Sequence, residues 1–501
     1  MRKYININVL MTAICLTFAS CDSWLDVNPS DQYSAETFWK TKEHAKAGIM
    51  GCYNALMPWR SLHTMEFDML TANAMPYNEA NGTQAIGKGE HLSTNVLIAS
   101  LWKNCYTGIG RANTFIGNVE SVDMGETEKA QMLGEAKFLR AFFYLNLVDK
   151  FGGVPLITEV PNADKHKDLP RNTKEEVISQ IIKDLDDAIA VLPKTYGSSD
   201  LGRATHGAAL ALKARTLLYN SCWSEAAATA KLLMDEGTYK LFNDYRHFFS
   251  ESNKHNCEVI FNIETKSPEY STNYDADIWR LNRPAPLKEL VDTYLCVDGK
   301  TIAESPLYDP EHPYENRDPR LLKSIVCIGY SYLGKIITKE DVATTGFGVK
   351  KYTSYEDDVT IPLVERSAFN FILIRYAEVL LTYAEAQNEA SGPDQSVYDA
   401  INQLRKRPDI NMPEVEKGLT KEQMREIIRR ERRIELTFEG LYYSDILRWK
   451  TAEKENNGMM HNYEGIGVVK RAFNPIRDYM WPIPYNQIVL NPSLQQNPNW
   501  D

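Results

Sequence analysis

Three groups of residues in this 501-residue chain could do chemistry. The first is Cys21. Arg2 and Lys3 form a basic start, and Val9–Ala19 is mostly apolar but too short to span a bilayer. Phe18-Ala-Ser-Cys21 follows, and small residues before a cysteine mark a signal whose thiol is acylated before cleavage. Several acyl chains on a new N-terminal Cys21 would anchor the chain stably. The second group is Gly82-Thr-Gln-Ala-Ile-Gly87-Lys88, which fits seven positions of a phosphate loop. The eighth is Gly89, where magnesium needs a Ser or Thr, and no clear strand precedes it, so we read no nucleotide site there. The third group is Arg429-Arg-Glu-Arg-Arg-Ile-Glu-Leu436. Met424, Ile427, Ile428, Ile434 and Phe438 mark one apolar helix face, and Glu431 falls on it. A carboxylate buried there must be paired. Neighbouring arginines or Arg448 are the expected partners, and Gly440 is placed to close the helix. The pattern is an ion-pair lattice between helices, not a nucleic-acid patch.

Other chemistry lacks its residues. H-E-x-x-H, G-x-S-x-G and the dinucleotide fingerprint do not occur, and the 9 His are scattered. Neither a metal nor another cofactor is expected. After Cys15 and Cys21, six cysteines remain far apart, without zinc spacing or a disulfide-scaffold density. Asp186-Asp187 and Asp357-Asp358 are not singled out as the cleft pair a glycosidase needs. With 56 Lys+Arg against 67 Asp+Glu the net charge is −11, a poor match for phosphate backbones. Residues 1–20 hold two basic and no acidic groups, so their removal leaves −13. At 43 % hydrophobic and 25 % charged, the composition is that of a folded globular chain. Aromatics reach 11 %, with 27 Tyr and 9 Trp, which serves either packing or stacking.

The elements that must position these residues read as helices. Residues 1–20 are the signal and 21–34 a polar tether. Apolar spacing predicts helices over 36–56, 97–119 and 127–150, the last apolar nearly all round and so deeply buried. Thr173 and Glu176 form a capping-box pattern for a helix to Leu192. Residues 204–219 and 224–235 read as a helical hairpin. From about 237 to 369 the chain is rich in Tyr, Pro, Asn and Gly and reads as loops with short strands such as 259–264. Helices return at 371–390, 396–405, 421–438 and 442–454, and the last 30 residues are irregular. Ala141, Ala214 and Ala377 each precede bulky residues by one turn. Those start points share no period, so this is either degenerate helical repeats or simply close helix packing.

The ordered blocks along the chain carry a resemblance. They are Cys21-Asp-Ser-Trp-Leu-Asp26, Leu101-Trp102, Arg111-Ala-Asn113, Gly134-Glu-Ala-Lys-Phe-Leu-Arg-Ala141 and Phe151-Gly-Gly-Val-Pro155. Arg317-Asp-Pro-Arg320, Ile374-Arg-Tyr-Ala-Glu-Val-Leu-Leu381, Arg430–Gly440, Arg448-Trp449, Trp481-Pro-Ile-Pro484 and Asn497-Pro-Asn-Trp500 follow. The chain resembles the SusD/RagB family of outer-membrane nutrient-binding lipoproteins. The resemblance implies a mainly α fold: a tetratricopeptide-like helical-repeat scaffold of about four helix pairs with an irregular, loop-rich ligand-binding part. It implies one domain over 35–501, with the loop-rich insertion at about 237–369. It also implies lipid anchoring through Cys21 on the outer face of the outer membrane, no enzymatic activity, and a SusC-like TonB-dependent transporter as partner. The chain would capture an oligosaccharide and deliver it to that transporter. A structural lid for a non-glycan nutrient and an extracellular glycan hydrolase are the alternatives.

Sugars present apolar C–H faces for aromatic rings and hydroxyls for polar groups. Two regions that the resemblance points to offer both. One holds Trp59, Arg60, Tyr77, Asn78 and Asn81; the other holds Tyr270, Tyr274, Trp279, Arg280, Tyr330 and Tyr332. Trp102 and Trp449 lie in core blocks and are expected to be buried. The loop before Trp102 offers the small, polar stretch Gly82–His91 instead of the aromatic cluster of starch-binding members, which leaves the glycan open. A Cys21→Ala protein should lose its acyl chains and move to the aqueous phase in detergent partitioning; continued anchoring would refute the lipid site.

Overall fold

A computed structural model describes residues 38–60, 63–76, 82–281, 283–342, 344–362 and 364–500. The expected signal and tether lie outside these. Helix α1 (Lys42–Asn54) starts where the Thr41 side chain accepts from the His44 amide. Helix α2 (Val96–Asn118) is capped by Asn95 in the same way. The long α3 (Glu126–Phe151) has Glu126 and Glu128 in its first turn, at the positive end of its dipole. Gly152, at φ +71°, ends it. Helix α4 (Lys174–Val191) carries the expected capping box of Thr173 and Glu176. Helices α5 (His206–Tyr219) and α6 (Trp223–Glu236) form the expected hairpin.

These helices stack in sequence: α1 on α2 and α3, then α3 on α4, α4 on α5, and α5 on α6. Helix α3 lies inside the stack and buries Phe138, Phe142, Phe143, Tyr144 and Leu147. Small residues set the spacing. A Cβ on Gly108 of α2 would come within 2.2 Å of the Phe143 ring, and one on Gly134 of α3 within 2.6 Å of Val191. Charge then fixes the register. Arg140 of α3 donates to both carboxylate oxygens of Asp184 on α4 (2.7 and 2.8 Å) and to Asn113 of α2 (2.8 Å).

The second half of the stack follows the insertion. Strand β1 (Val259–Ile263) pairs antiparallel with β2 (Phe371–Arg375), which runs directly into α8 (Tyr376–Ser391). Residues 371–375 are therefore strand, not the helix expected from sequence. This run is buried on both faces, and periodicity cannot separate a buried strand from a buried helix. Between the two strands, the longest helix is α7 (Tyr274–Leu281). Helix α8 packs on α6, α9 (Gln395–Arg405) and α10 (Lys421–Glu435). Helix α10 ends earlier than expected. Phe438 takes φ +61°, so the chain has already turned before Gly440. Helix α11 (Tyr442–Arg448) stops at Lys450, also left-handed at φ +58°, and a short turn of helix resumes over Ala452–Glu455. A hairpin of β3 (Asn457–His461) and β4 (Gly467–Ala472) follows, then α12 (Tyr485–Leu490) within the otherwise irregular tail.

Where α10 ends, a buried lattice forms. Glu435 accepts from Arg375 (2.8 Å), Arg407 (2.8 Å) and Arg320 (2.9 Å). Glu258 accepts from Arg375 and Arg407, and Glu439 from Arg375 and Lys351. Glu431 pairs with Arg320 (2.6 Å) and Arg405 (3.1 Å), and with neither of the expected partners, the neighbouring arginines of its own helix or Arg448. Arg448 is held by Glu385 and Asp445, because α11 packs beside α8. Burial alone would raise the Glu435 carboxyl, but Arg407, Arg375 and Arg320 outweigh it and hold the group far below the ordinary glutamate range. Glu435 therefore contributes stability that is fully present above its unfolded value near 4.5 and is lost as the pH falls below it. Glu435→Gln should lower the unfolding free energy at pH 7 by about 3–5 kcal/mol. In urea titrations, that deficit should shrink as the pH is brought down to about 3.

Candidate functional site

A cleft of about 510 Å³ opens beside the C-terminal half of α1. Met50, Tyr53, Asn54 and Met57 form one wall; Leu201, Gly202 and Arg203 form the rim; Asn262, Glu264 and Tyr270 close the far side. Its back is fixed by charge. The Tyr53 hydroxyl donates to Glu135 of α3 (2.7 Å) and accepts from the Ala204 amide (2.8 Å). Arg203 donates to both oxygens of Glu135 (2.9 and 2.5 Å) and to Asp200 (2.7 Å). Burial pushes the Glu135 carboxyl up, opposed by Arg203. Gly202 is at φ +87°, and a Cβ there would lie 2.5 Å from Glu264, so only glycine lets this loop close on that carboxylate. Glu264 is itself oriented by the side-chain amides of Asn262 (2.5 Å) and Asn370 (3.0 Å).

The open side combines two kinds of surface. Tyr270 is 54 % exposed, with Met50 and Leu201 also open to solvent. Around them stand the amides of Asn54 and Asn262, the carboxylate of Glu264 and the guanidinium of Arg203. A planar ring beside convergent hydrogen-bonding groups suits a ligand with apolar faces and many hydroxyls, and the volume is that of a small-molecule site. Glu264 is the one carboxylate among the described residues lining this cleft. Among the described residues no cluster of three or more His, Cys, Asp or Glu is placed to hold a metal.

The residues singled out from sequence are dispersed. Tyr270 lines the cleft. Trp59 does not: it is 3 % exposed and packs against Phe142 and Phe143 at 5.9 and 5.5 Å. Tyr274 is buried among Tyr352, Phe369 and Phe371. Tyr332 is buried, its hydroxyl 2.9 Å from that of Thr353 and its ring 5.3 Å from Trp279. These three rings pack the interior and offer no face to a ligand. Trp279 and Tyr330 are half-buried, Trp279 with a small apolar cluster around Val326 and Ile337, and Tyr330 against Tyr314. Neither lines the cleft. Arg60 and Arg280 fall in helical turns, but their side chains, like Tyr77, Asn78 and Asn81 altogether, lie outside the described residues. Trp102 is buried as expected, while Trp449 is half-buried, its indole donating to Glu385 (2.7 Å). The six remaining cysteines are unpaired.

Met50, Asn54, Leu201, Arg203, Asn262 and Glu264 line the cleft but stand outside the residues singled out from sequence. Only Asn262 and Glu264 carried a signal, as the end of an expected strand; nothing local brings residues 50–57, 201–203 and 262–270 together.

Known proteins share this architecture. The model of the SusD family matches residues 235–500, and a model described as "starch-binding associating with outer membrane" matches residues 23–218. A SusD-like protein of Formosa agariphila, P2, is 27 % identical, with 99 % of each chain covered. A SusD-like protein of Bacteroides ovatus is 27 % identical over 90 % of this chain and 83 % of its own length. A crystal structure of a SusD-like carbohydrate-binding protein from Bacteroides fragilis superposes with a TM-score of 0.85 at 28 % identity, covering 92 % of this chain and all of its own. A laminarin-binding SusD-like protein shares the fold with a TM-score of 0.69 at 22 % identity, covering 92 % of this chain and all of its own.

The buried Trp59 and the exposed Tyr270 should behave oppositely on truncation. Trp59→Ala should cost about 3–5 kcal/mol of stability. Tyr270→Ala should change it by less than about 0.5 kcal/mol. Paired denaturant titrations read both.

Proposed function

The chain belongs to the SusD/RagB family, and from that premise we propose that it binds an oligosaccharide in the cleft around Tyr270 and hands it on uncleaved. The observation that carries this reading is the pairing of an exposed tyrosine ring with Asn54, Asn262, Arg203 and Glu264 around a cavity of about 510 Å³. A sugar ring would stack on Tyr270 while the amides, Arg203 and Glu264 receive its hydroxyls. The carbohydrate-binding protein of Bacteroides fragilis, alike over nearly its whole length, supports the same ligand class. Hydrolysis would need two carboxylates about 5–10 Å apart across the scissile bond. The cleft offers Glu264, whereas Glu135 is buried behind it and neutralised by Arg203.

The rest of the assignment follows from the sequence. Cys21 would carry the lipid that holds the protein at the outer face of the outer membrane, in keeping with the outer-membrane association in the name of the matching N-terminal family model. Residues 1–20 would be its signal, 21–34 its tether and 35–501 one domain. The product of binding would pass to a SusC-like TonB-dependent transporter that this chain covers.

Calorimetric titration with a panel of β- and α-linked gluco-oligosaccharides tests the site. Wild type should bind at least one member, and Tyr270→Ala should weaken that binding about tenfold, as expected for loss of one stacked ring. Release of reducing sugar by the purified protein would overturn the non-hydrolytic reading. Unchanged affinity in both Tyr270→Ala and Glu264→Ala would move the site elsewhere.

A further inference from the structure

The tail of this chain builds a surface of a different kind. Residues 481–500 contain no Asp, Glu, Lys or Arg, and neither do residues 91–102. Average usage would put about five charged residues in the first stretch alone. The fold brings the two stretches together. The Tyr485 amide donates to the Ser93 carbonyl (2.9 Å), and the His91 ring packs on Trp500 at 4.8 Å. Helix α12 buries none of its residues. Val489 and Leu490 face solvent, Leu490 at 72 %, and so do Tyr485 and, across the Ser93 contact, Leu92 and Val96.

Three polar side chains of the tail turn inward. Asn491 donates to the Leu169 carbonyl, Gln496 exchanges hydrogen bonds with the backbone of Ile483, and Asn497 donates to the carbonyls of Phe151 and Trp481. These three amides hold the tail, Asn486 and Gln495 stay exposed, and the aliphatic groups of Val489 and Leu490 are left in water. Contiguous apolar surface of this kind marks an interaction site, and depletion of charge marks the core of a protein–protein interface.

We propose that the surface formed by Leu92, Val96, Tyr485, Val489 and Leu490 is the docking face for an uncharged, apolar surface of a second protein, the transporter of the reading above, on which this inference rests. Charge matching selects this occupant. An anionic lipid surface attracts basic clusters, and neither stretch contains a cation. Two mature copies would each bring a net charge of −13, which opposes association. The chain's own tether carries Asp22, Asp26 and Asp31, and burying those against aliphatic groups without partners is costly. A saccharide would leave its hydroxyls facing Val489 and Leu490 unpaired.

The test uses the full-length lipoprotein and a SusC-like TonB-dependent transporter of the same organism, both purified in detergent. Wild type should form a complex. A triple variant, Val96→Asp, Val489→Asp and Leu490→Asp, should bind at least tenfold more weakly while its thermal midpoint and oligosaccharide affinity stay as in wild type. If wild type forms no complex, the pairing with a transporter is wrong and this inference falls with it. If wild type and variant bind equally well, the pairing stands and this surface is not the interface. Self-association of wild type in sedimentation that the variant abolishes would give the face to a second copy. Binding to phosphatidylglycerol vesicles that the variant abolishes would give it to the membrane. Either result overturns the proposal.

Discussion

The fold turns on a balanced set of charges with no access to water. Arg320, Arg375, Arg405, Arg407 and Lys351 face Asp318, Glu258, Glu431, Glu435 and Glu439, five of each sign, all buried. Removing so many ions from water is expensive, and attraction offsets that cost only where geometry is good and each group has several partners. Most members here have two or three. Lys351 shows the tension: burial pulls its ammonium down to about 8, against the pull of Glu439. The partners come from distant parts of the chain. Arg375 ends β2, Arg405 and Arg407 lie at the end of α9, Glu431 and Glu435 are on α10, and Arg320 and Lys351 belong to the loop-rich insertion. The lattice therefore joins the insertion to the helical stack, which packing of short loops could not do alone.

The stack follows a simpler rule. Small residues bring the helices close, and single arginines then set their register. Gly108 admits the Phe143 ring between α2 and α3, and Arg140 links α2, α3 and α4. Arg215 of α5 does the same across to Glu378 of α8 (2.7 and 2.5 Å) and the Leu373 carbonyl. Because α1 rests on α2 and α3, the Tyr53–Glu135–Arg203 contacts inherit this rigidity. The cleft wall is thus held by the scaffold, while Tyr270 is supplied by the insertion.

Much of the scaffold is legible without coordinates. The capping box at Thr173 and Glu176, the all-round apolar 127–150 and the 204–235 hairpin stand where the local pattern puts them, because caps and periodicity act within one or two turns. Legibility fails where two conformations bury the same run. Phe371–Arg375 reads as helix until its pairing with Val259–Ile263 makes it strand. It fails again for single aromatics. Trp59 and Tyr270 look alike in sequence, both near amides and arginines, yet one fills the core beside Phe142 and the other stands in solvent. Exposure is a property of what packs against a residue, and that partner is far away in the chain.

The sequence by itself determined the helical class, the most regular helices, the need for Glu431 to be paired, the lipid-signal pattern at Cys21 and the family blocks. Each is written in spacing over a few residues or in blocks recognisable in order. Only the tertiary structure decided which arginines pair Glu431, which tyrosine lines the cleft, and that two charge-free stretches some 390 residues apart meet on one face. Those outcomes depend on contacts between segments remote in sequence, and no local pattern encodes which remote segment will arrive.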